Sequence, residues 1–231
     1  MTDPSDPTGA DPAPFILHHY EFSPFSEKVR VAFGIKQIAW RACPQPMMMP
    51  KDDLLALTGG YRRIPVLQIG SDLYFDSAFI LEEIDRRADG PSLYGGIGAG
   101  VGAGLSAWCD SWAEGSFFRC VVGLLFGGDF DPPSGFADDR AALLGAPFDA
   151  AAMAAARPQL EFQLRGHLAL LEAQLSDGRA YLMGDAPDMT DASFIYLIRM
   201  MRNGKGQTAT LLEAFPRLLS WEKRLDAVGH G

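Results

Sequence analysis

An α/β N-terminal domain followed by an all-α C-terminal helical domain is the fold class that the sequence predicts, on three observations. Strand-like and helix-like stretches alternate through residues 14–89. A glycine-dense stretch, "GPSLYGGIGAGVGAG" (90–104), then breaks the pattern. Beyond it, over residues 105–231, only helical periodicity recurs. Residues 1–13, acidic and proline-rich, read as a disordered tail.

The elements follow in order. "FILHHY" (15–20) is apolar and β-prone, a strand. "PFSEKVRVAFGIK" places Phe25, Val29, Ala32 and Phe33 on one helical face, with Gly34 as the stop. "IAWRAC" (38–43) is a second strand, and "PKDDLLALTGG" a helix begun by Pro50 and ended by Gly59-Gly60. "IPVLQIG" and "DLYFD" form a hairpin through the Gly70-Ser71 turn. "SAFILEEIDRRAD" is a helix with Ala78, Ile80, Leu81 and Ile84 apolar. In the second half, "LSAWCDSWAEGSFFRCVVGLLFG" reads as one long helix relaxed at Gly115 and Gly123. Residues 127–147 read as a loop with one helical turn, placed to close over a pocket or to decorate the surface. Pro158 is expected to kink or break the next helix. Two more helices, "DMTDASFIYLIRMMRNG" and "LLEAFPRLLSWEKRLDAVG", complete the chain, and no internal repeat is visible.

Composition excludes several classes of function. The chain has 231 residues, 48% of them hydrophobic and 21% charged, as a globular protein does. Twenty Lys and Arg against 29 Asp and Glu leave a net charge of −9, with no basic surplus to displace the counterions of a nucleic acid. No apolar run spans a bilayer, and the N-terminus has neither the basic nor the apolar region of a secretion signal. Cys43, Cys109 and Cys120 make neither a disulfide framework nor a metal set, so no metal and a cytoplasmic location are expected.

The chemistry starts in "HHYEFSPFSEKVRVAFG". A helix N-terminus offers unpaired N–H groups and positive potential, which favour an anion such as a thiolate. Ser23 lies at that N-terminus, and its hydroxyl would either cap the helix or face a ligand. In "RRIPVL", Pro65 opens a strand and a cis bond would turn the preceding backbone toward a pocket. In "FDSAFILEEI", Asp76 and Ser77 would either cap the third helix or clamp a ligand's carboxylate.

Together "SPFS", "RIPVL" and "DSAFI" resemble the cytosolic glutathione S-transferase family, bacterial-type with serine at the catalytic position. "APDMTDASF" resembles that family's capping box, with Asp188 at the N-cap and Asp191 at N3. The resemblance covers about residues 14–228. It implies a thioredoxin-like N-terminal domain, glutathione as co-substrate and a homodimer. It further implies Pro65 as a cis-proline, the Ile64 backbone pairing with the cysteinyl part of glutathione, and Asp76 and Ser77 holding the γ-glutamyl end. Arg63 would lie near the glycine end. Ser23 would be the thiolate's hydrogen-bond donor, with Tyr20 the alternative and Ser26 a local cap. With serine in place of the catalytic cysteine, mixed-disulfide chemistry is disfavoured and conjugation to a hydrophobic electrophile is expected. Phe22, Trp108 and Trp112 would line the electrophile pocket, against the alternative of an ordinary apolar helix stripe. A glutathione-dependent lyase or dehalogenase, and a non-catalytic binding module, are the competing functions.

Overall fold

The structure, a computed structural model, describes residues 13–95 and 102–231. Residues 1–12 of the expected tail and residues 96–101 of the expected linker lie outside it.

Four strands form one mixed sheet in the order β2-β1-β3-β4. They are β1 (Phe15–His19), β2 (Trp40–Pro44), β3 (Val66–Ile69) and β4 (Asp72–Phe75). β1 runs parallel to β2 and antiparallel to β3, and β3 pairs antiparallel with β4 across the expected hairpin. Helix α1 (Pro24–Lys36) connects β1 to β2, as a parallel pair requires. α2 (Asp52–Thr58) and α3 (Ser77–Arg87) complete the domain. Leu17, Val29, Ala32, Phe33, Val66, Leu67, Ile80, Leu81 and Ile84 are fully buried between sheet and helices. Phe25 instead packs at a tilt against Phe118 and Tyr196 of the second half.

The helical half comprises α4 (Gly102–Trp112), α5 (Phe118–Leu124), α6 (Phe136–Leu144), α7 (Ala150–Gln174), α8 (Met189–Asn203), α9 (Gln207–Leu211) and α10 (Pro216–Val228). The expected single helix across 105–127 is divided by a π-helical segment at Ala113–Phe117, where Gly115 takes φ −91° and ψ −105°. Gly123 stays within α5, and the second π-helical segment is Leu125–Asp129. Pro158 does not end α7. The expected last helix is divided at Pro216, which starts α10, where its missing N–H and fixed φ suit the first helical position. The α8 capping box forms: Thr190 N donates to Asp188 Oδ1 at 2.8 Å and Asp188 N to Asp191 Oδ2 at 3.0 Å. Asp191 is fully buried, also accepting from Leu182 N and Trp221 Nε1. No helix among the described residues is long and apolar enough to cross a membrane.

A buried ion pair joins the two halves. Lys28 of α1, with a fully buried side chain, lies 2.5 Å from Asp110 Oδ1 and 3.1 Å from Glu114 Oε1. Ser193 Oγ of α8 donates to the same Asp110 oxygen at 2.7 Å. A buried lysine needs such full pairing, because an unpartnered charge there costs several kcal/mol.

Candidate functional site

The strand register gathers the expected site residues at one end of the sheet. His18 opposes Val66, and Val66 opposes Phe75. The chain leaving β1 (Tyr20 to Ser23), the chain entering β3 (Ile64-Pro65) and the chain leaving β4 (Asp76-Ser77) therefore emerge side by side.

Ser23 caps α1: its Oγ accepts from Ser26 N at 3.2 Å. Ser26 is thus the residue capped, not a cap itself, and its buried Oγ has no partner among the described residues. Capping uses only a lone pair of the Ser23 oxygen, so the hydroxyl proton remains free to donate. Ser23 is 2% exposed. The Tyr20 hydroxyl lies beside both Ser23 and the Arg140 guanidinium, and burial raises its pKa. It is therefore a protonated donor at neutral pH.

The Ile64–Pro65 bond is cis. Among the described residues neither the N–H nor the C=O of Ile64 has a backbone partner, so both are open to an extended peptide. Asp76 sits at φ 71°, where a residue with a Cβ is uncommon. Its carboxylate caps α3 by accepting from Ala78 N at 2.9 Å. Ser77 Oγ donates to Glu114 Oε1 at 3.3 Å, so the hydroxyl expected to hold a ligand's carboxylate is engaged by a carboxylate of the helical domain. Burial raises the pKa of Glu114, and Lys28 opposes that rise.

Segment 127–147 packs against the N-terminal domain on either side of α2. An aromatic cluster of Phe126, Phe130, Phe136 and Phe148 packs its base. From α6, Asp139 Oδ1 accepts from Met49 N at 3.1 Å and from Arg62 Nη2 at 2.5 Å. Arg140 Nη2 donates to Met47 O at 2.9 Å, and Arg63 Nη2 to Leu143 O at 3.3 Å. Lys51, the residue before α2, is buried with its Nζ 5.6 Å from the centre of the Tyr20 ring. Burial, with Arg140 and Arg62 nearby and only Asp139 opposing, lowers its pKa to about 8.

The three expected pocket residues do not come together as a lining. Phe22 and Trp108 are each 79% exposed. Trp112 is packed into the helical half, edge-on to Phe194, with its Nε1 donating to His167 Nδ1 at 3.0 Å. The helix stripe is thus divided: Trp112 packs against Phe194 and His167, and Trp108 is turned outward. Sequence reasoning missed Lys51, Arg62, Asp139, Arg140 and Glu114, all of which depend on chain segments distant from their partners. The one available signal was "FADDRAALLG", whose acidic first turn marks a helix start. No group of residues among those described could hold a metal ion.

The sequence pattern of the glutathione S-transferase N-terminal domain matches residues 17–92, and a domain of unknown function matches residues 131–230. The structure is similar to that of a GST-like protein from Pseudomonas syringae, with 33% identity, TM-score 0.72, and coverage of 95% of this chain and 69% of that one. A glutathione S-transferase from Rhodospirillum rubrum shares the fold at 21% identity and TM-score 0.66, covering 92% of this chain and 88% of that one. The Tau class enzyme from mango, Mangifera indica, shares it at 17% and 0.67, covering 93% and 89%. No curated protein matches the chain. With the "SPFS" helix start, the cis Ile64–Pro65 bond and the Asp76-Ser77 turn at one end of the sheet, the chain belongs to the glutathione S-transferase family.

Proposed function

We propose that this protein conjugates the thiolate of glutathione to a hydrophobic electrophile, with Ser23 as the thiolate's hydrogen-bond donor. The observation that carries this reading is the cis Ile64–Pro65 turn with its unpaired Ile64 backbone, set beside the α1 N-terminus. The cysteinyl part of glutathione pairs with Ile64, its γ-glutamyl end lies at Asp76 and Ser77, and its glycine end lies toward Arg63 and Lys51.

A free thiol has a pKa of about 8.5, so only a few per cent is ionised near neutrality. Lowering that pKa by about two units takes roughly 2.7 kcal/mol of preferential thiolate stabilisation. A charge-assisted hydrogen bond supplies about 1.5–3 kcal/mol and the helix N-terminus about 0.3–1 kcal/mol. The two together suffice. The thiol proton leaves to solvent, the sulfur lone pair forms a bond to the electrophilic carbon, and that carbon's leaving group departs with its electrons. Serine forms no mixed disulfide, which sets this chemistry apart from reduction.

A non-catalytic glutathione-binding module is the second reading, favoured by the covering of Ser23 and the engagement of Ser77. The working unit proposed is a homodimer, for which exposed Phe79, Leu105 and Trp108 offer apolar surface. Calorimetry with glutathione, followed by turnover of a chloronitroaromatic, tests the function. Binding and turnover are expected; binding without turnover of any electrophile selects the module, and absence of binding overturns both.

A further inference from the structure

We propose that the cleft between the C-terminal end of α1 and the last turns of α10 binds a short apolar peptide with free ends, its carboxylate on Arg224 and its ammonium on the end of α1. This site is separate from the glutathione site and does not depend on it.

The cleft measures about 430 Å³, within the range that holds small-molecule ligands. Ile35 and Pro91 line it from the N-terminal domain, and Tyr181, Pro187, Arg224 and Ala227 from the helical half. Its walls are fixed by the chain's own bonds. Tyr181 and Gly184 pair as an isolated β-bridge, and Leu182 N donates to the buried Asp191 at 3.0 Å. Where the two halves meet, Gly34 approaches Gly229 so closely that a Cβ on Gly34 would collide with Gly229 O.

The two sides of the cleft carry polar groups of opposite character. Arg224 is half-buried, and its Nε donates to Ala180 O at 2.7 Å. That bond fixes the guanidinium plane and leaves both Nη groups without a partner among the described residues. Unspent guanidinium donors suit a carboxylate, because two parallel N–H groups can reach its two oxygens. On the other side α1 ends. Of its last carbonyls, Phe33 O accepts from Ile38 N at 3.0 Å and Gly34 O from Gln37 N at 3.1 Å. Those of Ile35 and Lys36 have no partner among the described residues. Unpaired carbonyls at the negative end of a helix favour a cation that brings N–H donors. Ile35, Pro91, Tyr181 and Pro187 supply apolar surface. An apolar dipeptide, with an ammonium, an apolar body and a carboxylate, matches all three features.

Helix α1 has 13 residues, so its end at the cleft lies about 20 Å from Ser23 at its start. A peptide in the cleft and glutathione at the other end of α1 therefore do not overlap.

The test is calorimetry with leucyl-phenylalanine, its C-terminal amide and its N-acetyl derivative, each with and without saturating S-methylglutathione. The dipeptide is expected to bind equally in both conditions. The amide should bind about tenfold or more weakly, the scale of one charge-assisted pair, and the N-acetyl form about threefold to tenfold more weakly. Arg224→Met should bring the dipeptide and its amide to equal affinity, and Arg224→Lys should restore part of the difference. Ala227→Trp, filling the cleft from an exposed position on α10, should abolish peptide binding and leave affinity for S-methylglutathione unchanged. Absence of dipeptide binding at millimolar concentration overturns the proposal. So does a parent that binds the amide or the N-acetyl form as tightly as the dipeptide, or an Ala227→Trp protein that still binds it. Loss of binding when S-methylglutathione is added assigns the peptide to the glutathione site and overturns the proposal as well. Should S-methylglutathione itself not bind, the glutathione reading fails while the peptide, amide and Ala227→Trp comparisons still decide this one.

Discussion

Ser77 Oγ donates to Glu114 Oε1 across 3.3 Å, tying the first residue of α3 to the π-helical segment that follows α4. The bond couples the γ-glutamyl end of the proposed site to the domain interface, because the same Glu114 oxygen accepts from buried Lys28. A ligand carboxylate arriving at Ser77 must take the hydroxyl away from Glu114.

That exchange sets the size of the first expected effect. Ser77→Ala should weaken glutathione binding by about fivefold to tenfold, about 1–1.4 kcal/mol, less than a full hydrogen bond to a charged group because the hydroxyl's bond to Glu114 is given up. Calorimetry on the two proteins checks it. An unchanged affinity would place the γ-glutamyl group elsewhere.

Lys51 makes binding pH-dependent. Its lowered pKa of about 8 means the free protein loses that charge as pH rises through 8, while a bound carboxylate beside it would raise the value. Below pH 8 both states carry the charge and affinity is flat; above it, binding takes up a proton and affinity falls. S-methylglutathione is the right probe, since it has no thiol to titrate. Lys51→Met should flatten the profile, and a parent profile already flat above pH 8 would separate Lys51 from the ligand.

Asp139 holds α6 on the N-terminal domain by accepting from Met49 N and Arg62 Nη2. Asp139→Asn keeps the shape but removes the charge that Arg62 pairs with. Amide exchange within residues 136–144 should quicken by about tenfold to a hundredfold, the range for losing one charged, half-buried contact. Exchange at the parent rate would show that the aromatic cluster around Phe136 alone fixes the segment.

How far such contacts are legible in sequence depends on their range. The β3–β4 hairpin, the Ser23 cap, the α8 capping box and the cis bond at Pro65 follow from residues within a few positions of each other, or from a motif that carries them. Trp112 could not be assigned in the same way: its outcome rests on His167 and Phe194, which lie in other helices. Arg140 meets Met47, and Asp139 meets Arg62, across sequence separations of 93 and 77 residues. No local period encodes such a meeting. Segment 127–147 shows the limit well, since its proline and glycine content suggests a loop while in the fold it carries α6 against residues on either side of α2.

Glu27 is expected to set the acid limit of stability. It is partly buried, which by itself would raise its pKa, yet hydrogen bonding from His230 and the charges of Arg30 and Arg199 bring it down to about 2. A lowered carboxylate pKa contributes stability that is complete above the ordinary value near 4.3 and is lost as pH falls toward 2. The contribution is on the order of 2–3 kcal/mol at neutral pH. Glu27→Gln should lower the urea midpoint at pH 7 and leave little further loss from this site between pH 4.5 and 2. Parallel stability curves for the two proteins over that interval would contradict the assignment.

The central claim is that the Ser23 hydroxyl, free to donate while its oxygen caps α1, lowers the pKa of bound glutathione. Ultraviolet absorbance of the thiolate, titrated against pH in the parent, Ser23→Ala and Tyr20→Phe proteins, tests it most directly. Ser23→Ala should raise the bound thiol's pKa by one to two units toward the free value of about 8.5, leave glutathione affinity nearly unchanged, and cut turnover at neutral pH by about tenfold to a hundredfold. Tyr20→Phe should shift it far less. If Ser23→Ala titrates like the parent and Tyr20→Phe does not, the tyrosine is the donor and the assignment to Ser23 is wrong.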